Sequence, residues 1–213
     1  MRSEASPSQA HALAPRGRPR SEHARNAVVA AALALVEKGG YSAATIEAIA
    51  DRSGVAKTTI YRWWPNRAAL VVDLLVQIAA EAAPPPAGGH PLRAIRRELR
   101  LVAAASEALP GRLLISLLGE AEHDPDIQTA LLQRLFTPRR KATALVIRRA
   151  QDTGLLRRGV NPRLVGDLFY GPLFYRKFIR HESVGGAFVG QVFRQVLAGM
   201  RPEPKPRKKL RSR

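Results

Sequence analysis

An all-helical fold is the class this sequence predicts, and three observations predict it. Apolar residues recur at three- and four-residue spacing in long runs, which is the period of a helix face. Ala and Leu are abundant while aromatic residues make up only 6% of the chain. No stretch shows the alternation of Val, Ile and Thr that a strand requires. A chain of 213 residues, 46% of them hydrophobic, is long enough for one or two domains with a core.

Composition also sets exclusions. Cysteine is absent, which removes disulfides, thiolate metal sites and cysteine nucleophiles. No apolar run approaches the roughly 18 residues of a membrane span, and the N-terminus lacks the apolar centre of a signal peptide. No membrane partner is expected, and the cytoplasm is the expected compartment. The net charge of +18 asks for a polyanionic partner, and half of it lies in two tails. Residues 1–21 carry four Arg against Glu4, and residues 201–213 carry seven Lys or Arg against Glu203. The C-terminal tail either contacts that partner or serves solubility alone.

Residues 1–20 are rich in Ser, Pro, Ala and Arg without an apolar period and are expected to form a disordered basic arm. Within it, Arg16, Arg18 and Arg20 alternate with Gly17 and Pro19. The Arg-Gly-Arg-Pro core looks like an AT-hook, in which Gly lets the backbone lie deep in a narrow minor groove and the Arg side chains sit in its negative potential. The alternative is a solvated linker. A first helix is expected from Ser21 or Glu22, a good N-cap followed by a residue that suits the positive helix end. It runs to Gly39-Gly40, with Val28, Val29, Ala32, Leu35 and Val36 as its apolar stripe and Tyr41 closing the small core below.

The chain is organised around Thr45 to Leu70. Ile46, Ile49 and Ala50 share one helix face, Gly54 interrupts, and Val55, Ile60 and Trp63 resume the pattern in a new register. Two short helices across a tight turn follow. Ala50 is small enough for the helices to approach, and Gly54 tolerates the positive φ of the turn. Both lie where a helix-turn-helix needs them.

With spacing, turn and aromatic positions taken together, residues 22–70 resemble the DNA-binding domain of TetR-family transcriptional regulators. The resemblance implies an N-terminal three-helix domain over 21–66, a C-terminal helical ligand-binding and dimerisation domain over 67–200, and a basic tail over 201–213. Its partners would be double-stranded DNA, a second copy of the chain and a small hydrophobic ligand. Thr45 is the expected N-cap of the second helix, and in the family the matching residue also touches a DNA phosphate. On the recognition helix, Lys57, Thr58 and Arg62 are expected to read bases. Lys and Arg suit guanine O6 and N7, and a Thr methyl suits the thymine methyl. Thr59 and Tyr61 are expected at phosphates, as in the family. Trp63 either meets a sugar or base or only packs, whereas Trp64 matches the family's core aromatic. Ala56 departs from the Ser often found there and removes an N-cap, at about 1 kcal/mol. Arg67 stands where relatives usually carry Lys, at a helix start suited to a phosphate; the alternative is an exposed charge without a role.

A fourth helix through Leu70, Val71, Leu74, Leu75 and Ile78 joins this head to the rest and is the candidate transmission element. Pro84-Pro85-Pro86 and Gly88-Gly89 then mark a domain boundary. Helices are expected over 91–109, 111–120 and 127–153, and their apolar faces imply a bundle. Asp124-Pro125 is an N-cap and N1 pair. Glu120, Glu122, His123, Asp124 and Asp126 are the one grouping that resembles a hard-cation site, but its single His has no second His at ligand spacing, and no metal or other cofactor is expected.

Asn161-Pro162 starts a helix to about His181 that is apolar around nearly its whole circumference, with a kink expected at Gly171-Pro172. Another helix follows over 185–200. This pair resembles the family's dimerisation helices, which places Phe169, Leu173, Phe188, Val192, Phe193 and Val196 at the subunit interface. Leu114, Leu118, Phe136, Tyr170, Phe174 and Tyr175 are candidates to line a ligand cavity, with plain core packing as the alternative for each. The sequence thus predicts a cytoplasmic, nucleoid-associated homodimer that represses transcription from a palindromic operator and leaves it on binding a ligand. The rival is an architectural protein coating DNA through its basic tails. No Ser-His-Asp grouping, phosphate loop or paired-carboxylate motif supports an enzyme.

Overall fold

The computed structural model describes residues 18–86 and 88–201, with the backbone alone for residues 18–20. Arg16, Gly17 and residues 202–213 lie outside the described residues, whereas the backbone of Arg18, Pro19 and Arg20, the rest of the hook-like motif and the end of the arm expected to be disordered, is helical. Helices account for nearly all regular structure, and no strand occurs among the described residues. The first, α1, spans Arg18–Ala43 and leaves helical geometry at Gly39 and Gly40, where φ reaches 67° at Gly40. Its start precedes Ser21, so Ser21 lies inside the helix and is not its cap. Pro19 falls in the first turn, where a missing N–H breaks no bond.

Three short elements follow: α2 at Ile46–Ser53, α3 at Lys57–Trp63 and α4 at Arg67–Ala82. Then come α5 at Pro91–Glu107 and α6 at Leu109–Glu120, joined by an elbow. Gly111 makes that elbow possible, since a Cβ there would lie 2.1 Å from the Ser106 carbonyl oxygen. The expected long helix after Asp124 is in three pieces. α7 (Pro125–Ala130) widens into a π-helical stretch, Leu131–Phe136, before α8 (Thr137–Asp152). Pro138 supplies the reason: it cannot donate to the preceding turn and crowds that turn's carbonyl. Likewise α9 (Pro162–Phe174) runs through Pro172, and the irregularity emerges just beyond it as a π-helical turn over Tyr175–Ile179. The last helix, α10, spans Gly186–Gly199.

Two cores hold these elements, and they do not follow the Pro/Gly boundary at 84–89. The first joins Val28, Ala32, Ile49, Ile60, Trp64, Leu70 and Leu74 of the N-terminal head to Leu113, Leu117, Ile127 and Leu131. The second gathers Ile95 and Leu99 of α5, Ile147 and Ala150 of α8, Phe169 and Leu173 of α9, and Val189 and Phe193 of α10. Each fully buried side chain of this kind contributes about 1.5–3 kcal/mol. Helix α4 is the shared wall, because it packs on α1, α6 and α7 at once. Polar ties reinforce it. Asn66 caps α4 by accepting from the Ala69 N–H at 2.8 Å, and its amide donates to Asp126 Oδ2 at 2.8 Å. Asp124 caps α7 by accepting from the Asp126 and Ile127 N–H groups. The acidic turn is thus occupied with helix starts, and no cluster suited to a metal ion occurs among the described residues.

Candidate functional site

The reading head is built by local rules. Thr45 Oγ1 accepts from the Ala48 N–H at 3.1 Å and starts α2. Gly54, at φ 68°, ends it by donating its N–H to the Ala50 carbonyl. Ala56 precedes α3 without any side-chain cap, as its methyl dictates. On α3, Ile60 is fully buried, which fixes the rotation of the helix. Lys57, Thr58, Tyr61 and Arg62 therefore share the exposed face, while Thr59 and Trp63 are half-buried at its edges. Trp64 is buried, with the Trp63 ring edge-on to it at 5.8 Å and the Arg25 guanidinium 5.2 Å from its ring centre.

Charges on this face are partly engaged. Lys57 Nζ donates to Glu47 Oε1 of α2 at 2.8 Å. That bond lowers the carboxyl pKa of Glu47 and raises the ammonium pKa of Lys57, and both side chains are exposed. Arg62 reaches back over the Trp63 ring, at 5.9 Å. Arg67 does not stand free: its guanidinium lies 3.6 Å above the centre of the buried Tyr41 ring, and its Nε is buried with no hydrogen-bond partner. Burial pushes the Tyr41 pKa up, with Arg67 pulling the other way.

A cavity of about 490 Å³ opens between α4, α5, α6, α8 and α9. Leu114, Leu118, Phe136, Tyr170 and Phe174 line it. Tyr175 does not: it is 58% exposed on the outer side of its helix, one residue and about 100° of rotation beyond Phe174. Phe136, Phe174 and Phe178 meet edge-to-face, at 6.3 and 4.9 Å between neighbours. Three of the polar residues in the wall, Glu98, Arg139 and Tyr170, form one cluster. Glu98 of α5 is 2% exposed and accepts a short hydrogen bond from the Tyr170 hydroxyl on Oε2. Its Oε1 makes no hydrogen bond, and Arg139 Nη1 stands 3.6 Å away. Arg139 in turn donates to the Ala83 and Ala79 carbonyls at the end of α4. Burial raises the Glu98 pKa against the opposing pull of Tyr170 and Arg139. Burial and the Glu98 charge together push the Tyr170 pKa well above its usual value.

Glu98 and Arg139 escaped the sequence reading. A signal was there for Glu98, a carboxylate set in the Ile95, Leu99, Val102 stripe of α5. Arg139 offered none, since its role depends on where α4 ends.

Comparison with known proteins agrees with this geometry over both halves. The model for bacterial regulatory proteins of the tetR family matches residues 28–74. That for the tetracyclin repressor-like C-terminal domain matches residues 85–196. A Bacillus subtilis relative, the uncharacterized HTH-type transcriptional regulator YdeS, is 31% identical over 185 residues, 87% of this chain and 93% of that one. The chain belongs to the TetR family. It is a DNA-binding transcriptional regulator, and α2, the Gly54 turn and α3 are its helix-turn-helix. The DNA-binding transcriptional repressor TetR of Mycobacteroides abscessus is 27% identical, covering 84% of this chain and 94% of the relative. Among solved structures, the TetR family transcription regulator SCO0332 superposes with a TM-score of 0.72 at 31% identity, over 84% of this chain and all of that one. The fold is also that of Thermus thermophilus FadR, a repressor solved in complex with lauroyl-CoA, with a TM-score of 0.62, 21% identity and coverage of 85% and 98%.

For this TetR-family chain one group of expected residues lies elsewhere. Phe169, Leu173, Val192 and Phe193, expected at a subunit interface, are buried in the protomer's own second core, where Phe169 stacks on Phe193 at 5.7 Å. Phe188 and Val196 pack half-buried against the same core. α9 is apolar round nearly its whole circumference, so periodicity does not say which arc meets α5 and α10. The arc left outside carries Leu164, Leu168, Tyr175 and Ile179, which are 40–67% exposed at spacings of four, seven and four. No single helix among the described residues is long and apolar enough to cross a membrane.

Proposed function

We propose that this regulator is a homodimeric repressor that holds a near-palindromic operator and releases it when a small apolar molecule fills the cavity. The observation that carries the reading is the shared wall: α4 belongs to the core of the DNA-reading head, and its last turn borders the cavity. A ligand that favours one position of α4 thereby favours one spacing of the two reading heads. The acyl-CoA bound by the fold relative from Thermus thermophilus supports the cavity's role, and the repressor named in Mycobacteroides abscessus supports the sign of regulation.

In this reading Lys57, Thr58 and Arg62 face base edges, Thr45, Thr59, Tyr61 and Arg67 face phosphates, and Trp63 borders a sugar. Arg16, Arg18 and Arg20 follow the adjacent minor groove. The exposed arc of α9, Leu164 to Ile179, pairs with its own copy across a twofold axis. The place of action is the nucleoid, in the cytoplasm.

The test is selection of bound duplexes from a randomised pool at near-physiological salt. A twofold-symmetric consensus, with half-sites about one helical turn apart, is the expected result. A featureless or merely AT-rich pool overturns it and favours coating of DNA through the basic tails.

A further inference from the structure

Resting on the reading of the cavity as an effector site, we propose that its effector is a neutral apolar molecule bearing one hydroxyl, whose proton is donated to Glu98 Oε1. Among the polar residues that line the cavity, Glu98 is the carboxylate that is almost wholly buried. Its two oxygens are not equivalent. Oε2 accepts from Tyr170, whereas Oε1 is buried without a hydrogen bond. Arg139 pairs with it only through charge, with Nη1 at 3.6 Å, while Nη2 of the same guanidinium donates to the Ala83 and Ala79 carbonyls. A desolvated carboxylate oxygen without a donor is costly, and a donor carried in by a ligand recovers that cost on binding.

The same geometry rejects other head groups. A ligand carboxylate or ether sets oxygen against oxygen at Glu98. An ammonium brings a second cation beside Arg139, into a wall where Arg140, Arg163 and Lys177 outnumber the carboxylate Asp167, itself paired with Arg140. A hydroxyl satisfies Oε1 without adding charge. Because the Glu98 partner Arg139 holds the end of α4, the donor is recognised at the joint between cavity and reading head.

The experiment is calorimetric titration of the full chain with two carbon frames, dodecyl and 2-naphthylmethyl. Each frame carries a hydroxyl, a methyl ether, a carboxylate or a primary ammonium. The expected result is tightest binding by an alcohol, about tenfold over the matched ether, the usual increment for a hydrogen bond to a charged group. In Glu98→Gln, which keeps an acceptor for Tyr170 but presents an amide to the cavity, that ratio falls to about one. The wild-type comparison needs no variant and decides the matter if Glu98→Gln does not fold. Ether, carboxylate or ammonium probes binding as tightly as the alcohols overturn the donor assignment while leaving the cavity an effector site. A ratio unchanged in Glu98→Gln overturns the role of Glu98. Failure of all eight probes to bind overturns the cavity reading itself, and this proposal with it.

Discussion

The indole N–H of Trp64 donates to Asp73 Oδ2 at 2.8 Å, while the other oxygen of the same carboxylate accepts from Arg134 Nη1 at 2.5 Å. One side chain on α4 thus ties the end of the recognition helix to the π-helical stretch of the C-terminal bundle. Asp73→Ala leaves the N–H of a buried indole without its acceptor, and a loss of about 1–3 kcal/mol is expected in urea denaturation. Arg134→Met removes only a partly exposed ion pair and should cost less than about 1 kcal/mol. Equal losses in the two variants would show that the indole bond contributes nothing beyond the ion pair.

The exposed face of α3 predicts two kinds of DNA-binding defect. Arg62→Ala should relax discrimination at one operator position by about 1–3 kcal/mol, while Tyr61→Phe should weaken all sequences alike. Glu47→Ala goes the other way. It frees Lys57 from its 2.8 Å partner and removes a negative charge beside the DNA face, so affinity rises and its salt dependence steepens. Competition binding on a panel of single-base operator variants reads all three.

Two residues one position apart on α9 separate assembly from folding. Leu168 is 40% exposed and Phe169 fully buried. Leu168→Glu combined with Ile179→Glu should sediment as a folded monomer with much weaker operator binding. Phe169→Ala should instead lower stability by about 3–5 kcal/mol, because it empties the centre of the second core. A dimeric Leu168→Glu, Ile179→Glu variant would refute the outer arc of α9 as the interface.

Glu98 predicts an unusual pH response. Its pKa in the folded chain is raised by burial, so across the window between the ordinary carboxylate value and the raised one the folded state binds more protons than the unfolded. Stability from this group is therefore fully present on the acid side of that window and declines as pH rises through it. Tyr170 and Arg139, which face the carboxylate, limit the effect by favouring its charged form. Chemical denaturation across a pH series should show Glu98→Gln with a flatter profile on that alkaline-going slope. An identical slope in both proteins would mean that Glu98 titrates alike folded and unfolded.

What the chain determined by itself is local. Thr45, Gly54, Asn66 and Asp124 mark helix ends through bonds to backbone groups two to four residues away, so their roles are legible from neighbours alone. The burial of Ile60 was legible for a similar reason, since a seven-residue helix has one apolar face to hide, whereas that of Trp64, one residue beyond the helix, was implied by the family resemblance. Tertiary structure decided whatever depends on a choice between equivalent faces or on distant partners. On α9 nearly every arc is apolar, and only packing against α5, α8 and α10 sent Phe169 inward and Leu168 outward. Arg67 had solvent and Tyr41 both within reach, and the fold laid it on the ring. Glu98, Tyr170 and Arg139 come from three helices, and α4 ends where Arg139 can hold its carbonyls. Periodicity reports that a face is buried; which neighbour buries it is settled only when the helices meet.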